Sequence, residues 1–202
     1  MESIDRKKYM SKAETKQLRQ NAEARAYIDL KKGRLQGLLA WVVIDTALST
    51  GLRVSELAAL TIEDIDFKRG CLTICRLKKK RKRKETLAVG KALLNHLKEY
   101  IAGRTKGMLF VGKRGVLTAQ GLQQIWKASI KRAGLPKELS IHSARHTLAV
   151  HLLKKTSNLR QVQKQLGHSS PATTANMYAD ISFDDMQQPL NDLYEDDGDN
   201  NG

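Results

Sequence analysis

The stretch GCLTICRLKKKRKRKETLAVG, residues 70–90, decides the fold. Cys71, Leu72 and Ile74 fit a strand led in by Gly70, and ETLAVG reads as the strand that returns. Residues 71–89 are therefore predicted to form a β-hairpin with a basic tip. The segments on both sides repeat their apolar residues at helical spacing. The predicted class is α+β, a mostly helical domain carrying one small antiparallel β-sheet.

Working outward, Ser11 and Glu14 form a capping-box signature that opens a helix running to about Tyr27. LLAWVVIDTAL at 38–48 is apolar on all sides and reads as a buried helix ended by Thr50-Gly51. VSELAAL at 54–60 is a short helical segment with Leu57 and Leu60 turned inward, and Thr61 caps the acidic turn that follows. Beyond the hairpin, helices are predicted over 91–100, with Leu93, Leu94 and Leu97 on one face, and over 118–133, stopped by Gly134 and Pro136. MLFV at 108–111 reads as a short strand or extended segment. Further helices are expected at 142–155, 159–167 and 171–177.

The chain has 202 residues and a net charge of +15. All 36 basic residues fall within the first 164, against 13 acidic ones, a balance of +23; the remainder carries eight acidic residues and no basic one. A basic body of this kind points to a phosphate-rich partner. Eight basic residues in nine, Arg76 to Lys84, exceed what a solvated turn needs, since like charges on a short hairpin repel one another. Aromatic residues are 5% of the chain, too few for a single-strand stacking platform, so duplex DNA fits better. Cys71 and Cys75 would stand roughly 13 Å apart along a strand, which excludes a disulfide between them. No secretory leader pattern opens the chain and no apolar run approaches the ~20 residues of a membrane span. The expected location is the cytoplasm, associated with DNA.

Four further motifs carry candidate chemistry. Arg53 in TGLRVSE follows a glycine that permits close backbone approach; it offers a guanidinium fork to phosphate, or merely an ion pair to Glu56. His142, Arg145 and His146 in IHSARH fall on one helical face. The histidine pair has zinc spacing, but it lacks a third ligand and sits beside an arginine, so an anion site is the better reading. His168 in LGHSS follows a glycine that ends a helix, and Tyr178 lies ten residues on. A lone tyrosine there is ordinarily amphipathic packing. The case rests on the set.

TGLRVSEL, the lysine-rich hairpin, HSARH and LGHSSPATTANMY, in that order, resemble the catalytic domain of the tyrosine recombinases, or phage integrase family, over about residues 8–182. The resemblance implies that Arg53 and Arg145 are the two catalytic arginines, His142 the first histidine, His168 the position that is His or Trp in the family, and Tyr178 the nucleophile. Glu56 and His146 take supporting roles. One hairpin lysine would serve as general acid: RLKKK resembles the stretch in the short fimbrial DNA invertases and favours Lys79, with Lys80 the alternative and Lys78 a third competitor. Lys78, Arg81, Lys82, Arg83 and Lys84 would bind DNA.

The implied reaction is cleavage and rejoining of duplex DNA through a 3′-phosphotyrosine, without metal, ATP or another cofactor. The implied partners are duplex DNA and copies of the chain itself, up to a tetrameric synapse. Residues 1–8 stand as a basic lead, 9–182 as the catalytic domain, and 183–202 as an acidic segment with a possible docking helix and a disordered tail. The expected helical DNA-clamping module before Tyr9 is missing, which reads either as a piece of a longer enzyme or as a naturally short recombinase. The rival functions are a non-cleaving DNA-binding regulatory module and a type IB topoisomerase.

Overall fold

The structure is a computed structural model that describes residues 9–78 and 81–167. Helix α1 (Lys12–Lys31) opens with the expected capping box: Ser11 accepts from the Glu14 N–H and Glu14 accepts from the Ser11 N–H. It continues four residues past the predicted end. Helix α2 (Gln36–Thr50) is the centre of the molecule, with Trp41 to Leu48 buried on every side. It packs against α1, α4 (Lys91–Ile101), α5 (Ala119–Arg132) and α6 (Ile141–Thr156).

A helix buried all round must satisfy its own polar groups. Thr46 and Thr50 donate to the carbonyls four residues back, and Asp45 accepts from Ser49 and pairs with Arg19 and His96. Leu93, Leu94, Leu97 and Ile101 of α4 and Leu122, Trp126 and Ile130 of α5 complete the core. The Trp126 indole donates to the Leu139 carbonyl at 2.8 Å, so its burial leaves no unmet donor.

The hairpin forms as read: β2 (Cys71–Lys78) pairs antiparallel with β3 (Arg81–Ala88), from Cys71 opposite Ala88 to Lys78 opposite Arg81. The expected sheet had two strands, and the structure has more. A two-residue strand, β1 (Ile65–Asp66), pairs with β2 after the Thr61-capped turn, making a three-stranded sheet in the order β1-β2-β3. Another small hairpin, β4 (Val111–Gly112) and β5 (Gly115–Val116), follows the MLF segment. Helix α3 (Val54–Ala58) buries Leu57, as expected. Helix α7 (Leu159–Leu166) lies on α6 in a satellite apolar cluster of Ala149, Leu153, Val162 and Leu166. Cys71 is buried and Cys75 exposed, both as free thiols. The predicted helix at 171–177 and the acidic segment lie outside the described residues.

Candidate active site

Three chain segments converge at the end of α2. Gly51 terminates that helix in the left-handed region, φ +62, with its N–H on the Ala47 carbonyl. A Cβ there would stand 2.8 Å from Leu166 Cδ2 and 3.0 Å from Leu148 Cδ2, so the site demands glycine for both conformation and space. The chain turns at Gly51 and delivers Arg53 to the start of α3.

Glu56, three residues on, accepts the Arg53 backbone N–H on one oxygen and its guanidinium on the other, both at 2.9 Å. The Arg53–Glu56 ion pair that the sequence suggested as the alternative is thus present. It holds Arg53 rather than hiding it, because the arginine side chain remains 49% exposed while Glu56 is 8% exposed.

Arg145 comes from the second turn of α6 and is buried. Its Nη1 donates to the Gly51 carbonyl at 2.9 Å and its Nη2 to the Leu166 carbonyl at 2.6 Å. IHSARH forms the start of a regular helix, as its spacing implies, but the three side chains differ in exposure: His142 and His146 are exposed while Arg145 turns into the protein. The cause is the two terminal carbonyls, of α2 and α7, which draw the guanidinium inward. Burial pushes the Arg145 pKa down to about 10; Arg53 and Arg76 add to the effect and Glu56 opposes it. Arg145 is still a cation at neutral pH.

The sequence reading missed Arg76, which it counted among the eight basic residues of the phosphate-facing hairpin. Arg76 is 2% exposed. Its Nη1 meets Glu85 Oε2 at 3.0 Å, its Nη2 donates to the Gln165 carbonyl at 3.2 Å, and its Nε lies 3.7 Å from Glu56 Oε1. Burial holds this guanidinium below its usual pKa range, with Glu56 and Glu85 working against the shift. A signal was present: Arg76 continues the period-two row of Leu72 and Ile74, whose side chains face the core.

Three guanidiniums and two carboxylates thus meet at one junction, leaving one net positive charge beside the half-exposed Arg53. Such a cluster can neutralise an anion that presents two oxygens. Of the other predicted residues, Arg83 and Lys84 are exposed on β3. Lys78, Arg81 and Lys82 occupy the strand ends at the tip. Lys79, Lys80, His168 and Tyr178 lie outside the described residues. Among the described residues, no three His, Cys, Asp or Glu side chains gather as a metal-binding group, and no helix is long and apolar enough to cross a membrane.

The chain is similar in sequence and in fold to known proteins. The chain is similar to the tyrosine recombinase XerC of Syntrophus aciditrophicus, 32% identical over 151 residues, which are 68% of this chain and 48% of that protein. It is likewise similar to XerC of Pseudomonas aeruginosa, 34% identical over 148 residues, 70% of this chain and 47% of that one. The chain therefore spans about half the length of these curated relatives. The XerA recombinase crystal structure superposes with a TM-score of 0.73 at 24% identity, covering 92% of this chain and 63% of that one. The XerH recombinase, in a post-cleavage complex with its palindromic difH substrate, gives 0.67 at 23%, covering 90% and 52%. These two likenesses bear on the fold. The profile of the phage integrase family matches residues 8–184, nearly the whole basic body, and the chain accordingly belongs to the phage integrase family of tyrosine recombinases.

Proposed function

We propose that this chain is the catalytic domain, residues 9–182, of a site-specific DNA recombinase that cleaves and rejoins duplex DNA through a 3′-phosphotyrosine. The observation that carries the reading is the convergence of Arg53 and Arg145 on one junction, with α7 ending there at Leu166, two residues before His168.

In this reading the Tyr178 Oη attacks the scissile phosphorus and the P–O5′ bond breaks. The new ester keeps phosphorus bonded to Tyr178 and to the 3′-oxygen, and the 5′-strand leaves as a hydroxyl. Arg53, Arg145 and His168 donate to the nonbridging oxygens as charge gathers there, each donor contributing roughly 2–4 kcal/mol. His142 takes the tyrosine proton, since a phenol of ordinary pKa near 10 is a weak nucleophile at neutral pH. His146 supports that end of α6. Lys79, with Lys80 as the alternative, gives a proton to the departing 5′-oxygen. The reverse attack by a 5′-hydroxyl rejoins a strand, so the steps consume neither ATP nor a metal ion.

Glu56 supports both Arg53 and the cluster behind it. Lys78, Arg81, Lys82, Arg83 and Lys84 bind the duplex backbone, and exchange between two sites requires several copies, up to four. Residues 1–8 and 183–202 flank the domain as a basic lead and an acidic segment. Integration, excision, resolution and inversion share this chemistry, and the arrangement of the target sites in the genome distinguishes them.

The test is covalent capture. Incubated with nicked duplex fragments of its source genome and quenched in detergent, the full chain should yield protein–DNA adducts enriched for one sequence. Tyr178→Phe should abolish them. Sequence-specific binding without any adduct from the wild-type chain would overturn the proposal in favour of a regulatory DNA-binding module. Supercoil relaxation without sequence preference would instead indicate a topoisomerase.

A further inference from the structure

We propose that Arg76 is a positioning residue for the active site: its buried guanidinium clamps the end of α7 to the β2–β3 hairpin and to Glu56, fixing the point from which the chain passes to His168. The inference deepens the recombinase reading and rests on it for the role of His168.

The position argues against a simple packing role. Arg76 stands in the row of Leu72 and Ile74, where another aliphatic side chain would fill the core without burying a charge. The guanidinium instead works in three directions at once: to Glu85 across the hairpin, to Glu56 on α3, and to the Gln165 carbonyl on α7. An ammonium on a flexible stem has no planar fork with which to do this.

The surroundings are built around the clamp. Gly167 caps α7 at φ +64, and a Cβ there would overlap the Arg76 guanidinium. The adjoining Leu166 carbonyl is held by Arg145, so two consecutive carbonyls are taken by arginines from two different elements. Gln165 adds a further tie, its Nε2 donating to the Ala88 carbonyl at the end of β3. Glu56 also faces Arg53, whose closer contact at 2.9 Å and backbone N–H bond to the same carboxylate hold that arginine independently of Arg76.

The experiment uses the full chain and its captured duplex, with Arg76→Lys as the main variant. At saturating DNA, single-turnover cleavage should slow by about 30-fold or more while Kd changes by less than about 3-fold. Hydrogen exchange of the amides at 164–167 should quicken about 10-fold, with the helices of the main core unchanged. In a His168→Ala background, Arg76→Lys should slow cleavage by no more than about 3-fold further, because the group it positions has gone. Full additivity in that cycle, wild-type cleavage by Arg76→Lys, or a loss confined to Kd would overturn the proposal. Should Arg76→Lys fail to fold, Glu85→Gln removes one arm of the clamp and should show the same pattern at smaller amplitude. If the wild-type chain forms no adduct, the recombinase reading fails, and amide exchange alone then decides whether Arg76 clamps α7.

Discussion

Arg53 and Arg145 belong to one cluster, yet their substitutions should separate stability from chemistry. Arg53 is half exposed and its single carboxylate partner contributes little to folding, so Arg53→Ala should change the unfolding free energy by less than about 1 kcal/mol. Arg145→Ala leaves the buried carbonyls of Gly51 and Leu166 without a donor and should cost about 1–3 kcal/mol in urea titration. Both should reduce adduct formation by at least about 100-fold, as expected for a missing transition-state donor. Equal stability losses would mean that Arg145 is not held as described. At this scale the sequence disclosed residue types more readily than orientations. TGLRVSE and HSARH marked both arginines, but helical spacing put Arg145 on a face with two exposed histidines, and the pull of two helix-end carbonyls turned it inward. Arg76 was hidden for the opposite reason: its charged neighbours at the tip outweighed the strand parity that places it beneath them.

In the proposed reaction the hairpin is the element on which DNA affinity and leaving-group chemistry meet. Arg83 and Lys84 are exposed on β3, and replacing both with Ala should weaken DNA binding and flatten the plot of log K against log salt. The slope should change by about 0.9 for each phosphate no longer neutralised, with little change in single-turnover cleavage at saturation. An unchanged slope would show that these side chains do not meet the backbone. The lysines need a different readout. Lys79→Ala should slow cleavage of an ordinary duplex by about 100-fold yet cleave normally when sulfur replaces the bridging 5′-oxygen, because a thiolate leaves without a proton. Lys80→Ala and Lys78→Ala are the comparisons. Lys78 belongs among them because β2 runs to it, where it pairs with Arg81 of β3. Long elements were legible for a physical reason: a capping box, an all-round apolar helix and an alternating strand each repeat a signal over several residues. Strands β1, β4 and β5 span two residues each, too short for any period to register, and only their tertiary partners create them.

For the molecule as a whole, the charge imbalance sets conditions under which the fold holds. Helix α1 and helix α6 meet at a basic concavity of about 420 Å³ lined by Lys12, Thr15, Lys16, Arg19, Gln20 and His151. The chain entering α1 is tied to α6 where the Met10 N–H donates to Thr147 Oγ1 at 2.9 Å. His151 sits in this seam, and its pKa is lowered first by burial, then by Lys12 and Lys154, with Arg19 adding slightly and a backbone hydrogen bond at Met10 opposing them. A histidine held below its unfolded pKa binds fewer protons in the native state than in the unfolded one. Its neutral form therefore supports the fold fully above about pH 6.5, and that support is lost as the pH falls below that value. Melting temperature measured from pH 7.5 to 5.0 should accordingly fall for the wild-type chain, and His151→Gln should flatten the fall while leaving the value at pH 7.5 nearly unchanged. A polyanion bound over the basic face would compensate the same lysines, so short duplex DNA should also shrink the difference between the two proteins at low pH. If the wild-type and His151→Gln curves run parallel across this range, the pH dependence arises elsewhere in the chain and the seam between α1 and α6 is not where protons act.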